Sequence, residues 1–264
     1  MTTTGPRVQG LTLDRDAEKP TATGPWVSRI HLDRDAEKTT GPRIFRVHLD
    51  QPDDSRWWRM LSDTERERAS QLASPTEKHR FTIAHAALRA ILGRLCGVRA
   101  SRLAFHTEAG GRPYLALPDG RPPLDFNLSH SGEWALVAVT PPGSRVGVDI
   151  ELIRPDLDCL EMAGRMYQPA EVDRLHHTDP AARHTEYFAL WSAKEAYVKA
   201  IGVGLTGLRD VLVNREADAP HGTVLSRTHP GALWPVRWLD AAPGYSAALV
   251  TGPDRRQPPR SCGI

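Results

Sequence analysis

Several shortages narrow the chemistry open to this chain. It has no excess of basic charge: 34 Lys and Arg face 32 Asp and Glu, leaving a formal charge of +2. A dedicated nucleic-acid binder draws its affinity from a dense basic face, so nucleic acid is not an expected partner. It has no long apolar run; the best, residues 134–139 (WALVAV), is strand-length and far short of a membrane span, so no membrane is expected. Its three cysteines, Cys96, Cys159 and Cys262, are odd in number and scattered, which argues against a disulfide framework or a four-ligand zinc site. The start, MTTTGPRVQG, lacks the basic patch and apolar stretch of a secretory leader. Together these point to a cytoplasmic protein. No phosphate-loop lysine pattern occurs. The single G-x-G-x-x-G match, Gly202 to Gly207, follows a helical pattern rather than a strand, so Gly202 reads as a helix terminator and not as part of a dinucleotide fingerprint.

What is present is an ordinary core-forming composition, 40% hydrophobic and 25% charged, with one unusual stretch. LDRDAEKPTATGP (13–25) recurs as LDRDAEKTTGP (32–42). Two copies are too few to stack as a solenoid. The polar, Thr/Gly/Pro-rich composition offers little apolar surface against its ordering entropy, so residues 1–42 are expected to be disordered. Folding is expected from the alternating strand at Ile44. A capped helix follows at Ser62-Asp63-Thr64-Glu65 and runs to Leu72, with Pro75 as an interruption. A second helix spans 77–95 and stops at Gly97. Hairpins are expected around Ala109-Gly110-Gly111 and around Ser131-Gly132. Pro141-Pro142-Gly143 separates an N-terminal half (43–143) from a C-terminal half (144–252), and 253–264 reads as a loose tail. The later half adds a strand at 146–152, a helical stretch at 160–167 and a helix at 185–201. Strands and helices mix without regular alternation, so the fold class is α+β in two similar halves.

Three segments can carry chemistry. In Val146-Gly147-Val148-Asp149-Ile150-Glu151-Leu152, alternation buries Val146, Val148, Ile150 and Leu152 and sets Asp149 and Glu151 on the other face. Their Cα atoms lie about 6.5 Å apart on an extended strand, close enough to share one hard cation such as Mg2+. Taken alone, that pair is more often a solvated strand face. In the helix after Thr185, Glu195 projects between Phe188 and Trp191, where a carboxylate is costly unless paired or metal-bound. Lys199 lies one turn on, and Lys194 flanks Glu195; a surface Glu–Lys pair is the plain alternative. Phe126-Asn127-Leu128-Ser129-His130-Ser131-Gly132 ends a strand in small polar groups suited to an anion, or simply forms a polar turn. Gly111-Arg112-Pro113 and Arg68 add guanidinium groups that suit phosphates.

In order, G-R-P (111–113), F-N-L-S-H-S (126–131), G-V-D-I-E (147–151) and W-S-A-K-E-A-Y-V-K (191–199) resemble the 4′-phosphopantetheinyl transferases, in particular the large monomeric, surfactin-synthetase-activating type. The resemblance spans residues 43–252. It implies a pseudo-dimer of two α+β halves with coenzyme A in the cleft between them. It also implies transfer of 4′-phosphopantetheine to a serine of an apo carrier protein, with release of adenosine 3′,5′-bisphosphate. By that resemblance Asp149, Glu151 and Glu195 form an Mg2+ site, Glu195 is the general base, and Lys199 stabilises the departing phosphate. Arg68, Arg112, Pro113, Asn127, Ser129 and His130 belong to the coenzyme A site, with Ser129 and His130 at its 3′-phosphate. Arg112 replaces a more usual lysine. Acidic helical carrier domains of polyketide, nonribosomal peptide or fatty-acid synthases are the implied partners, and a monomer the implied state. A metal-dependent phosphodiesterase or nucleotide hydrolase, and a non-catalytic coenzyme A-binding module, remain alternatives at this point.

Overall fold

Short alternating strands and two long capped helices build the molecule, whose computed structural model describes residues 27–30, 41–117, 119–216, 219–227 and 232–253. The strands are β1 (Val27–Ile30), β2 (Arg43–His48), β3 (Ala104–Thr107), β4 (Pro113–Ala116), β5 (Asp125–Ser131), β6 (Trp134–Thr140), β7 (Ser144–Leu152), β8 (Val211–Asn214), β9 (His221–Ser226), β10 (Trp234–Trp238) and β11 (Tyr245–Pro253). The α-helices are α1 (Ser55–Met60), α2 (Asp63–Ser70), α3 (Pro75–Cys96), α4 (Cys159–Met166), α5 (Pro169–His177) and α6 (Pro180–Ile201). This is an α+β mixture, as the sequence pattern suggests.

One antiparallel sheet has the order β1-β2-β6-β5, a second β7-β11-β10-β9-β8, and β3-β4 form a separate hairpin. The sheets join through side chains rather than a backbone ladder. Asp125, Asn127, Ser129 and Ser131, alternate residues of β5, each accept a hydrogen bond from a β7 backbone N–H: Val146, Val148, Ile150 and Leu152 in turn. The distances run from 2.9 to 3.4 Å, and the constant offset of 21 residues makes the two strands run alongside in parallel. A strand period of two is what lets one face of β5 serve every second donor of β7.

The helix signals were mostly legible, with shifted starts. The capping box at Ser62 and Glu65 opens α2. Pro75 does not interrupt a helix; it occupies the first turn of α3 behind the N-cap Ser74, where its missing N–H costs nothing. α6 starts five residues before the expected Thr185, because Asp179 caps it and Pro180 opens it. Helix α5 was not anticipated. Leu152, expected inside, is 39% exposed at the end of β7.

Within the segment expected to be disordered, Val27–Ile30 forms an edge strand antiparallel to β2, with Ile30 opposite Ile44 and buried with it beside Leu136. Its sequence signal is R-I-H-L-D (29–33) echoing R-V-H-L-D (46–50), so the duplicated stretch carries a strand pattern as well as polar filler. Residues 1–26 and 31–40, and the tail from 254, lie outside the described residues. Among the described residues no helix is long and apolar enough to cross a membrane.

Candidate functional site

The informative strand and helix meet because β7 carries a glycine. A Cβ at Gly147 would lie 1.8 Å from the Ala196 carbonyl oxygen, so only glycine lets α6 approach this closely. The room left by that glycine is thus taken by α6. The approach sets Asp149 and Glu151 of β7 against Glu195 and Lys199 of α6.

Asp149 is the hub. Its Oδ1 accepts from Ser129 Oγ at 2.8 Å and from Lys199 Nζ at 2.5 Å, and Lys199 also donates to Ser129 Oγ at 2.9 Å. Its Oδ2 is buried without a hydrogen-bond partner. Glu195 is 7% exposed and faces inward. Burial first, and then the charges of Asp149 and Glu151 against the opposing pull of Lys199, push its carboxyl up to about 7. Glu151 is also raised, by burial and by Asp149, although Ser131 and the Trp191 indole N–H donate to it. Burial alone would lower the Lys199 ammonium, but Asp149 more than offsets it and the pKa is raised.

An orphaned buried carboxylate oxygen flanked by two carboxylates of raised pKa is short of positive charge, and oxygen donors are what a hard divalent cation takes. The donor set therefore fits Mg2+ in kind. Among the described residues, however, no three acidic, histidine or cysteine side chains are already gathered as a metal cage. Lys199 occupies Asp149 Oδ1 instead.

Of these groups Glu195 and Lys199 open onto a cleft of about 970 Å³ whose other walls come from β5, the β3–β4 hairpin, α2, α3 and the end of α6, with Asp149 behind Lys199. Arg68, exposed on α2, sits over the Phe81 ring at 5.8 Å, and His85 stacks on the same ring at 4.0 Å between centroids. His130 lines the cleft on the opposite face of β5 from Ser129, and burial, then His85, Lys199 and Arg68, hold its pKa low. Pro113 lies exposed at the rim. The sequence reading missed His85. Its signal was present: it lies one turn from Phe81 and one turn from Arg89 on α3. Glu65 fixes it, accepting from His85 Nδ1 at 3.2 Å and from Arg89 Nε at 2.6 Å. Burial pushes Glu65 up, but His85, the Ser62 N–H and Arg89 outweigh it and bring it to about 2.

Three residues expected at coenzyme A have partners within the protein, and two of them, Arg112 and Asn127, also line the cleft. Asn127 Oδ1 takes the Val148 N–H, and Ser129 is shared among Asp149, Lys199 and the Ile150 N–H, because the β7-facing side of β5 is the seam between the sheets. Arg112 is 4% exposed, and its guanidinium is held by Asp125 and by three backbone carbonyls.

Comparison with known proteins identifies the family. The family model described as the 4′-phosphopantetheinyl transferase superfamily matches residues 145–250, and that described as 4′-phosphopantetheinyl transferase, N-terminal, matches residues 51–142. The 4′-phosphopantetheinyl transferase HetI of Nostoc sp. is 35% identical over 170 residues, covering 64% of this chain and 71% of that protein. The 4′-phosphopantetheinyl transferase psf-1 of Bacillus pumilus is 31% identical over 217 residues, covering 79% and 89%. Sfp of Bacillus subtilis is 27% identical over 212 residues, covering 78% and 91%. With both parts of the family pattern present in order, and with relatives matched along most of their length, the chain belongs to the 4′-phosphopantetheinyl transferase family.

Proposed function

We propose that this chain transfers 4′-phosphopantetheine from coenzyme A to the serine hydroxyl of an apo carrier protein. The serine oxygen forms a bond to the phosphorus that carries pantetheine, and the pyrophosphate P–O bond breaks. Adenosine 3′,5′-bisphosphate leaves, and the serine proton goes to a base. The observation that carries this reading is that Glu195 and Lys199, the latter held by Asp149, face a cleft also lined by Arg68, His85 and His130. Phosphoryl transfer is chiefly positioning and neutralisation of charge on phosphate oxygens, and that set supplies both kinds of group.

Glu195 is the base, acting on the serine directly or through water. A carboxylate brought to about 7 can take a proton near neutrality. Lys199, freed from Asp149, neutralises the departing bisphosphate, and its placement in the last turn of α6 leaves the ammonium within reach of the cleft. Held by Asp149, Glu151 and Glu195, Mg2+ would neutralise the pyrophosphate of coenzyme A. Arg68, His85 and His130 bind the nucleotide phosphates, with His130 at the 3′-phosphate; Pro113 shapes the rim. In this reading residues 43–143 and 144–252 are the two halves of a pseudo-dimer with coenzyme A between them, a division that the β5–β7 seam supports. The carrier is an acidic helical domain, and the enzyme works as a cytoplasmic monomer.

The test is incubation with coenzyme A and a panel of apo carrier proteins, with and without Mg2+, followed by weighing the carriers. One carrier should gain a phosphopantetheine mass only when metal is present. No gain on any carrier sinks the reading, and a gain undiminished by chelation removes the metal from it.

A further inference from the structure

Arg112 has the hallmarks of a residue built to hold other parts in place. We propose that Arg112 and Asp125 form a clamp that fixes the carboxyl end of α6, and with it Lys199, so that Arg112 is a positioning residue and not a phosphate ligand. The proposal rests on the transferase reading of the same cleft.

The guanidinium ties four pieces of chain together. Its Nε donates to the Lys199 carbonyl at 3.0 Å. Nη1 and Nη2 form a bidentate pair with Asp125 at 2.8 and 2.7 Å. Nη2 also donates to the Phe126 carbonyl at 3.1 Å and the Val146 carbonyl at 3.0 Å. Asp125 in turn accepts the Val146 N–H at 2.9 Å, so the pair holds both the donor and the acceptor of one β7 residue. Buried on both sides, the ion pair is retained only because its remaining valences are met.

The Lys199 carbonyl is one of the last in α6, which have no partner further along the helix. Arg112, the residue before β4, supplies one. The turn before it is pressed on the same spot. A Cβ at Gly110 would lie 1.8 Å from the Gly202 carbonyl oxygen, and one at Gly202, where φ is 77°, would lie 3.1 Å from Arg112 Cβ. The helix end is thus gripped between the β3–β4 turn and the guanidinium, while the Lys199 side chain is held from β5 at Ser129. Residues 125 and 129 lie on the same face of β5, so one strand positions both the backbone and the ammonium of Lys199. A lysine at 112 has three donors on a single nitrogen and no planar fork, and cannot reproduce the five hydrogen bonds that Arg112 makes.

The experiment compares Arg112→Lys, Arg112→Met, Asp125→Asn and Arg112→Met/Asp125→Asn in the full-length enzyme, by calorimetric affinity for coenzyme A and by kcat and KM for carrier modification. A clamp predicts kcat lower by about tenfold or more in every single variant, from a misplaced Lys199, with coenzyme A affinity changed less than about threefold. Arg112→Lys should fail to rescue, and the double variant should be no worse than the poorer single one. Weakening of coenzyme A binding by about tenfold in Arg112→Met, restored in Arg112→Lys, with Asp125→Asn near wild type, would overturn the clamp and return Arg112 to the phosphates. If Arg112→Met does not fold, Asp125→Asn decides alone: a normal kcat rejects the clamp and a lowered kcat at unchanged affinity supports it. An inactive wild-type protein would instead overturn the transferase reading itself.

Discussion

Two lysines of one helix, five residues apart, do opposite work. Lys194 is sealed in the protein, fully buried, with its ammonium on Glu171 at 2.7 Å and on the Leu208 and Val211 carbonyls. Burial pulls its pKa down, and Glu171 only partly restores it. Lys199 keeps a side chain 30% exposed to the cleft and leans on Asp149, which raises its pKa. Residue type and helix are the same in both cases; what differs is the surface each faces. A lysine enclosed by carbonyls and one carboxylate ties α6 to α5 and to the chain entering β8. A lysine at an open cleft, sharing a carboxylate with a hydroxyl, holds a charge that an incoming phosphate can claim.

The sharpest way to break this contrast is to remove each ammonium. Lys199→Met should fold and lose on the order of 10²–10³ in kcat, read by carrier modification, because the departing phosphate loses its counter-charge. Retained turnover would place Lys199 with Lys194 as structural. Lys194→Met should cost about 3–5 kcal/mol in denaturant unfolding by stranding the buried Glu171 charge. Adding Glu171→Leu should recover part of that, and no recovery would show that the pair is not the cause.

Glu195 extends the comparison to pH. Its native carboxyl keeps a proton up to about 7, whereas the ordinary value is 4.5, so the folded state binds more protons than the unfolded state between those values. Stability is therefore fullest below 4.5 and falls as pH rises toward 7. Glu195→Gln, studied without metal, should flatten that fall and gain on the order of 1–3 kcal/mol at pH 8. Parallel pH–stability curves for the two proteins would refute the crowding of carboxylates. The smallest effect is expected at the seam: Ser131→Ala removes the acceptor for the Leu152 N–H and a donor to Glu151, costing about 0.5–1.5 kcal/mol by thermal unfolding.

Much of this was legible in the residues. The alternation of β7 and the inward place of Glu195 on α6 follow from strand and helix periods, and the structure keeps Glu195 inside. The capping box of α2 and the glycine stops of α3 and α6 were equally local signals. The duty of Arg112 was not legible, because its partners come from positions 125, 126, 146 and 199, and no local pattern says which strand edge a guanidinium will meet. The same holds for Asn127 and Ser129. Their small polar side chains suit an anion or a neighbouring backbone equally well until β7 is laid beside them.

By itself the sequence determined which groups are available: carboxylates at 149, 151 and 195, an ammonium at 199, and glycines where backbones must close up. It did so because charge, period and backbone freedom are properties of single residues and their near neighbours. Only the tertiary structure decided which of those groups face a cleft and which are spent on holding the sheets together, since that depends on contacts between segments far apart in the chain, where burial and partner set what each charge can do.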